Sequence, residues 1–586
     1  MLTAWRFPWK MLLLLWALMS SLLVVIFWKA ALNQDFVDPD DFMRLQQIRD
    51  FVAGQSWFDL TQWRMAAPGG VAMHWSRLVD LPVLMFIIPL TPMIGAPMAE
   101  AVATIAAPLL NLFVLMVAMV ATTRRLVGTN IATSVLACLT MMSAPSIFLQ
   151  VHPARIDHHG WQIALAAIVV AALVDRNARR SGLIAGLALA LYLNISVEGM
   201  PLVAVAIGAL GLMWVFNRED GARLTAMLWA LALGGLVSNL LTAPYYRWTE
   251  GLCDALMPSH LAAFAVAAVG TSVSVQFGTR GGPATRLVLL AAAAAATIAM
   301  FGAMAPNCLG SPFGKLDPVI DRYWYQYVSE GMPFWRQGPI EAAWTIAFPL
   351  MALPGTLIAL MRAKTPEMRR RWMIMLAFGI GTLLTGAMVR RAAGVAHVVA
   401  VPGALVLIGI AIRAAEARLP SIARVFATAT AILAMTPIMP IFVVAAMVPD
   451  RAGSRDRQAV PNKCDRLCVL GRLAMRPPET LITSKDIGPI VVFHTPHRVF
   501  SGGYHRITGP LRDSIIFFAA SPDWGRAFIK AKNIRTIIID PDSDEIALFI
   551  RDAPNGLAAR LAKGPLPDWL IEDPAGSPAL RVYRVR

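Results

Sequence analysis

Charged residues and cysteines are both scarce in this chain of 586 residues. Asp, Glu, Lys and Arg make up 15% of it, whereas a soluble domain usually carries about 25%. The five cysteines are too few for a disulfide scaffold or a zinc cluster to support the fold. Most of the apolar segments also lack acidic residues, which argues against a transporter that carries ions along charged groups in mid-membrane.

Long apolar runs fill the sequence instead. The chain is 57% hydrophobic with a mean hydropathy of +0.59, and many runs approach the roughly 20 residues of a membrane helix. The run from Met11 to Ala31 lacks a small-residue cleavage site and further runs follow it, so we interpret it as a retained helix and not as a signal peptide. We predict a polytopic α-helical membrane protein with about 13 transmembrane helices. The predicted spans lie near residues 11–31, 98–122, 130–150, 158–174, 182–194, 200–216, 224–242, 260–277, 285–304, 340–361, 372–389, 394–412 and 425–447, with an additional interfacial helix at 81–94.

Basic residues are unevenly distributed between the loops. The net charge of +16 and the pI of about 10.1 follow from Lys and Arg collecting on cytoplasmic loops, so no nucleic-acid partner is predicted. This distribution predicts a bacterial inner-membrane protein. Its outward loops, chiefly 33–80 and 306–339, carry most of the loop aromatic and acidic residues, as functional loops often do. The cytoplasmic clusters include Arg6 with Lys10, Arg124 with Arg125, Arg176 to Arg180, Arg218 with Arg223, Arg280 with Arg286, Arg362 to Arg371, and Arg413 to Arg424.

The composition changes to that of a soluble protein at about Pro449. We therefore predict a transmembrane domain over residues 1–448 and a small α/β domain over 449–586, with strands at 490–493 and 535–540 and helices at 522–532 and 543–562. An odd number of spans with the N-terminus inside places this domain in the periplasm. Two disulfides are predicted in that compartment, with free thiols as the alternative. The pairs are Cys253 with Cys308 and Cys464 with Cys468.

Acidic motifs occur in three of the predicted outer loops. The aspartates that follow the first span suit Mg²⁺ or Mn²⁺, which prefer oxygen ligands, or else form a helix-capping turn. Asp157-His158-His159 offers metal ligands or acid–base groups, or else caps the fourth span. Glu330 stands among aromatic residues, as in a saccharide or phosphate site or an interfacial loop. The aspartates are Asp35, Asp38, Asp40 and Asp41.

Arg390 and Arg391 break the positive-inside pattern at the outward end of the eleventh span. A guanidinium suits phosphate, although snorkelling to anionic headgroups would also explain the pair.

Together these motifs resemble the catalytic subunit of oligosaccharyltransferase and the wider GT-C superfamily of lipid-donor glycosyltransferases. In that family, acidic motifs of the first outer loop, of the segment before the fourth span and of the fifth outer loop surround a divalent metal, and an Arg near the eleventh span binds donor phosphate. The resemblance implies that Asp40 or Asp41 is catalytic and that Mg²⁺ or Mn²⁺ is the cofactor. It implies metal ligation by Asp40, Asp157, His159 (in place of a second acid) and Glu330, and donor-phosphate binding by Arg390 and Arg391.

The sequence departs from that family in its C-terminal domain. It lacks the Trp-Trp-Asp motif with which oligosaccharyltransferases read the glycosylation sequon, and it has His-Arg and Tyr-His-Arg clusters instead. These clusters suit a phosphate or a glycan, or else hold their own domain together. The candidate substrate-binding residues are His158, Tyr327, Trp335, Arg336, His497, Arg498, Tyr504, His505 and Arg506.

The predicted function is transfer of a sugar or oligosaccharide from a polyprenyl-(pyro)phosphate-linked donor to a glycan, lipid or protein acceptor. A polysaccharide polymerase or ligase that works without a metal is the main alternative, and a transporter is the other.

Overall fold

The computed structural model describes residues 7–310, 316–448 and 464–586. The chain divides into two compact units, each assembled from separate stretches of sequence. Arg6 of the predicted cytoplasmic clusters, residues 311–315 of the predicted outer loop and the predicted domain boundary at 449 lie outside the described residues. The first unit takes Met1–Asp35, Trp75–Gly314 and Ser329–Pro449, and the second takes Phe36–His74, Lys315–Val328 and Asp450–Arg586.

The first unit consists of apolar helices and is a multi-pass membrane structure. In the described residues, nine helices are long and apolar enough to cross a membrane, or up to 11 if each of two sharply bent pairs forms one span. The helices are Trp9–Asn33, Leu81–Ile94, Ala96–Leu126, Ile131–Met142, Pro145–Val151, His159–Leu173, Ala178–Ile195, Met200–Phe216, Gly221–Thr242, Tyr246–Thr249, Pro258–Gly278, Pro283–Met304, Pro339–Met361, Pro366–Met388, Ala393–Arg418, Ser421–Ala434 and Met439–Met447.

Every predicted span coincides with a helix or a bent pair of helices. The spans predicted at 130–150 and 425–447 are the two bent pairs, with bends of 85° and 81°. The spans predicted at 158–174 and 182–194 are the helices His159–Leu173 and Ala178–Ile195, which do not count among the nine long apolar helices. The predicted helix at 81–94 is present as Leu81–Ile94.

Small residues allow close helix packing in the first unit. A Cβ atom on Gly186 would lie 2.1 Å from the main-chain oxygen of Met227, and one on Gly182 would lie 2.3 Å from that of Arg223. Residues four apart share one helix face, and their lack of a side chain lets two membrane helices approach each other's backbone. Ala178–Ile195 and Gly221–Thr242 therefore pack closely against each other.

The second unit is built on a mixed five-stranded sheet. Its strand order is β4-β3-β5-β7-β6, in which β3 is parallel to β4 and β5, and β7 is antiparallel to β5 and β6. A separate two-stranded sheet pairs β1 with β2. The strands are β1 (Thr61–Gln62), β2 (Val71–Ala72), β3 (Thr480–Thr483), β4 (Arg498–Val499), β5 (Thr536–Ile539), β6 (Leu570–Glu572) and β7 (Arg581–Val585), and the helices are Pro39–Val52, Pro318–Tyr323, Arg466–Ala474, Ile487–His494, Thr508–Ala519, Pro522–Lys532, Asp544–Asp552 and Leu557–Lys563.

One predicted strand is wrong: residues 490–493 lie inside the helix Ile487–His494. A short apolar run does not distinguish a buried strand from a buried helix by periodicity. Pro489, in the first turn, decides the outcome, because proline fits there but cannot donate to a sheet. The strand predicted at 535–540 and the helix at 522–532 are confirmed, and the helix predicted at 543–562 is two helices separated by a turn.

Most of the first predicted outer loop, residues Phe36–His74, is folded and belongs to the second unit. Its helix Pro39–Val52 packs against Ile487–His494, with the rings of Phe42 and Phe493 5.4 Å apart. Arg49 donates from Nη1 to the main-chain oxygen of Phe493 at 3.4 Å. Aromatic packing and a hydrogen bond from a side chain to the main chain therefore attach this loop to the C-terminal part of the chain.

Both predicted disulfides are confirmed. The sulfur atoms are 2.03 Å apart in Cys253–Cys308 and 2.12 Å apart in Cys464–Cys468. Each pair lies within one unit.

Candidate metal and phosphate site

A strained turn in the first unit carries the Asp-His-His motif. Ala154 has a φ of +69°, a left-handed conformation that costs a non-glycine residue about 1 kcal/mol or more. Its amide donates to the main-chain oxygen of Thr104 at 2.9 Å. A Cβ on Gly160 would lie 2.3 Å from Nδ2 of Asn111 and 2.4 Å from the main-chain oxygen of Gln150. Glycine is therefore required where this turn enters the helix His159–Leu173.

Asp157 is the centre of a buried cluster of polar side chains. Its Oδ1 lies 2.5 Å from Nδ1 of His158, which donates because a carboxylate only accepts. Its Oδ2 lies 3.5 Å from Nε2 of His159 and 3.5 Å from Nη2 of Arg155. All four residues are buried. The carboxylate is thus surrounded by three nitrogen-bearing side chains away from bulk water.

Gln162 fixes the orientation of His159. Nδ1 of His159 lies 2.8 Å from Oε1 of Gln162, one turn along the same helix. The amide oxygen accepts, so Nδ1 carries a proton. Burial acts to lower the pKa of His159, but Asp157 and Glu330 raise it to about 9, so Nε2 also carries a proton until a cation displaces it. This Nε2 lies 3.5 Å from Oδ2 of Asp157 and 3.6 Å from Oε2 of Glu330. The structure therefore brings together Asp157, His159 and Glu330 from distant parts of the sequence.

Both carboxyl groups of the cluster are held in their ionised form. Burial acts to raise the pKa of Asp157, but the imidazoles of His158 and His159 outweigh it and keep that pKa well below its ordinary value. Burial likewise acts to raise the pKa of Glu330, yet the contact with His159 and the charge of Arg155 lower it to about 2. Ionised carboxylates are the state that binds a cation.

Two separations between donor atoms of this cluster are close to those of a metal site. Ligand atoms about 2.1 Å from one cation lie roughly 3–3.5 Å from each other, close to the 3.5 and 3.6 Å that separate Nε2 of His159 from the two carboxylate oxygens. Mg²⁺ sites are built of oxygen, whereas imidazole also binds transition metals. The set of Asp157, His159 and Glu330 therefore fits Mn²⁺ better than Mg²⁺.

Arg391 lies near this cluster and forms an ion pair. Its Nη2 lies 2.5 Å from Oε1 of Glu198, and the two side chains are 25% and 35% exposed. Its charge also contributes to the lowered pKa of Glu330. The guanidinium is thus close enough to the Glu330 carboxylate for the two groups to interact electrostatically.

Arg390 is joined to the Glu330 motif through the main chain. Its amide donates to the oxygen of Met332 at 3.3 Å, and its guanidinium lies 4.8 Å from the ring centre of Trp344. Stacking on an aromatic ring is a stable arrangement for an arginine at a membrane interface. Of the two predicted phosphate-binding arginines, Arg391 is therefore the better placed.

Asp40 and Asp41 lie at the start of the helix Pro39–Val52 in the second unit. Oδ1 of Asp38 accepts from the amide of Asp40 at 3.0 Å, so Asp38 is the helix cap that the sequence allowed as an alternative. Asp41 is fully buried. The hydroxyl of Tyr504 donates to Oδ1 of Asp40 at 3.2 Å, which links one predicted substrate-binding residue to the predicted catalytic residue.

The prediction that His497 binds substrate is wrong. His497 is fully buried, its Nδ1 accepts from the amide of Glu479, and its Nε2 donates to the main-chain oxygen of Leu473. Both ring nitrogens thus bind the backbone of its own unit, which was the alternative considered for this cluster. Arg506 also binds backbone, donating to the oxygens of Ala72 and Met73.

The remaining predicted substrate-binding residues occupy varied positions. Tyr327 accepts a hydrogen bond from Nη2 of Arg551 at 2.6 Å. The ring of His505 stacks on that of Trp324, 6.2 Å away. Trp335 and Arg336 are exposed in the first unit, and Arg498 is exposed in the second. Their roles stay predictions.

Three residues of the site were missed in the sequence. Arg155 stands two positions before Asp157, and Gln162 stands one helical turn after His159. Both spacings were available signals. Glu198 lies in the turn Val197–Gly199, but a single carboxylate 193 residues from Arg391 gives no local indication of a pair.

Solved structures show the same fold. The archaeal oligosaccharyltransferase AglB from Archaeoglobus fulgidus, solved with an inhibitory peptide and a dolichol-phosphate, matches with a TM-score of 0.64 and 14% identity over 97% of this chain and 74% of its own. The A. fulgidus enzyme in complex with Zn and sulfate matches with a TM-score of 0.60 and 14% identity over 89% and 67%. These matches confirm the predicted fold class, a polytopic helical membrane protein with a C-terminal α/β region. No protein-family model and no curated protein sequence matches the chain.

Proposed function

We propose that this protein transfers a sugar or oligosaccharide from a polyprenyl-(pyro)phosphate-linked donor to an acceptor on the periplasmic face of a bacterial inner membrane. The observation that carries this proposal is the convergence of Asp157, His159 and Glu330 within 3.6 Å contacts, close to an arginine. The solved structures of the same fold are of oligosaccharyltransferase, one with a dolichol-phosphate and one with Zn and sulfate.

Each residue of the site has a proposed role. Asp157, His159 and Glu330 would hold the divalent cation, while Gln162 keeps Nε2 of His159 directed at it. When bound, the cation screens the negative charge that develops on the leaving phosphate. Arg391 would bind a phosphate oxygen of the donor through its planar fork.

The residue proposed to activate the acceptor belongs to the second unit. Asp40 would take or polarise the proton of an acceptor hydroxyl or amide, and Tyr504 would orient its carboxylate. Asp41, the next residue, is the alternative candidate for this catalytic base. The predicted shared ligation of the cation by Asp40 stays a prediction.

The absence of a Trp-Trp-Asp motif favours an acceptor other than a protein sequon. Mass spectrometry of the glycans and lipid-linked intermediates that accumulate in a deletion strain would identify both donor and acceptor classes.

Purified protein tests the metal site in two independent ways. Asp157→Asn and Glu330→Gln keep shape but remove charge, so each should lower activity by orders of magnitude and reduce the number of Mn²⁺ ions bound, measured by electron paramagnetic resonance. Asp35→Asn, a change at an exposed aspartate, is the matched control and should alter neither. Full activity in chelator would discard the metal and favour the metal-independent polymerase or ligase.

A further inference from the structure

A cavity of about 410 Å³ opens on the second unit, within the range of small-ligand sites. It lies between the β1–β2 hairpin of the first predicted outer loop and the edge of the five-stranded sheet. None of the catalytic or metal-binding roles proposed above uses it. Its lining residues are Trp63, Ala67, Pro68, Thr480 and Arg498.

The frame of the cavity is held by main-chain hydrogen bonds. The amide of Ala66 donates to the oxygen of Val499 at 2.9 Å, and the amide of Val499 donates to the oxygen of Arg64 at 2.8 Å. Residues 64–66 therefore continue the sheet beyond its edge strand β4. Thr480 and Arg498 are directly paired across β3 and β4, so two walls of the cavity are fixed in register.

Trp63 presents a large apolar surface at this cavity. Its side chain is anchored by a hydrogen bond from Nε1 to Oδ2 of Asp59 at 3.1 Å, yet the residue is 53% exposed. Gly70 lies directly behind it, because a Cβ there would come within 3.1 Å of the indole. The polar edge of the indole is thus satisfied, and its apolar surface is left to contact a ligand.

Arg498 brings an available positive charge to the same cavity. It is exposed, and among the described residues its guanidinium forms no hydrogen bond or ion pair. A guanidinium beside a hydroxyl suits a carboxylate or a phosphate group, and an anchored indole suits the apolar face of a sugar ring.

We propose that this cavity binds an acidic saccharide, with a sugar ring on Trp63 and its anionic group on Arg498 and Thr480. This inference rests on the proposed function, because the acidic saccharide in the cavity would be the acceptor of the transfer reaction or a product that remains bound.

Direct binding measurements on the full-length protein test this proposal without turnover. The protein is placed in phosphatidylcholine nanodiscs and binding is measured by calorimetry. It should bind a tetrasaccharide of alternating glucuronic acid and N-acetylglucosamine, and it should bind the uncharged N-acetylglucosamine tetrasaccharide at least tenfold more weakly. Arg498→Gln should abolish this preference, and Trp63→Ala should weaken both ligands about tenfold. Trp524→Ala and Arg526→Gln are matched controls, since these residues are exposed elsewhere on the second unit, and they should change nothing.

The outcomes separate this proposal from the proposed function. Asp157→Asn protein should lose transfer yet keep saccharide binding. Wild-type protein that binds the saccharide but shows no transfer would contradict only the proposed reaction. Active protein whose saccharide binding is absent, or is unchanged by Trp63→Ala and Arg498→Gln, overturns the cavity. Loss of binding to phosphatidylglycerol vesicles in those variants, without any saccharide binding, would instead assign this surface to the membrane.

Discussion

Replacing Glu198 by glutamine should strengthen donor binding. Glu198 neutralises Arg391 at 2.5 Å, so donor phosphate must share or displace this carboxylate to reach the guanidinium. Glutamine keeps the length of the side chain and removes its charge. The substitution therefore tests whether Arg391 binds donor phosphate and whether the Glu198 carboxylate competes with the phosphate for its guanidinium.

The expected size of the effect follows from Coulomb's law. Two negative charges about 5 Å apart repel by about 1–2 kcal/mol at the effective dielectric of 40–80 that suits groups partly exposed to solvent. The ion pair that the phosphate must also break adds little to this cost, because a partly exposed ion pair is worth about 0–1 kcal/mol. Glu198→Gln should thus lower the Kd of a polyprenyl phosphate roughly 5- to 30-fold.

The assay is equilibrium binding of undecaprenyl phosphate to the purified protein in detergent, at low and high salt. The gain should shrink as salt rises, because screening weakens both the repulsion and the ion pair. Glu341→Gln, a change at a carboxylate on the helix Pro339–Met361, is the control. Unchanged or weaker binding by Glu198→Gln at low salt would refute this reasoning and make Glu198 a structural partner of Arg391.

Three further measurements test other parts of the interpretation. Arg391→Lys should recover little of the donor affinity that Arg391→Ala loses, because lysine lacks the planar fork; full recovery would point to simple charge attraction. An alkaline phosphatase fusion after residue 450 should be active if the C-terminal region is periplasmic, and a cytoplasmic reporter active there would reverse the orientation. Burial raises the pKa of Glu545 to about 7 against the opposing charge of Lys485. This folded-state pKa lies above the unfolded one, so stability should fall by roughly 1–3 kcal/mol as pH rises from about 4.5 to 7. Glu545→Gln should remove that slope in thermal unfolding, whereas Asp544→Asn should leave it.

The membrane helices were predictable because the apolar run that crosses a bilayer is a local property of the sequence. The bends at residues 143–144 and 435–438 were not predicted, although each had a local signal. Pro145 begins the helix after the first bend and Pro437 lies within the second, and proline is the commonest cause of a sharp bend. The strand predicted at 490–493 failed because a short apolar run fits a helix or a strand equally well.

The candidate site was predictable in part. Charged motifs placed on one face of the membrane pointed to Asp157, His159, Glu330 and Arg391, because ionisable groups at a membrane are retained mainly for function. The orientation of the His159 ring and the partner of Arg391 depend on side-chain contacts that spacing does not encode. His497 had the residue type of a ligand-binding group, but its burial and backbone contacts made it structural.

The sharing of one folded unit between the first outer loop and the C-terminal region has a consequence for synthesis. The hydrogen bond from Arg49 to Phe493 joins residues 444 positions apart, which ribosomes take roughly 20–90 s to translate at 5–20 residues per second. During that interval the helix Pro39–Val52 lacks the surface that buries Phe42. The apolar face of this helix is therefore uncovered in the nascent chain, and its proposed base acquires its Tyr504 partner only near the end of translation.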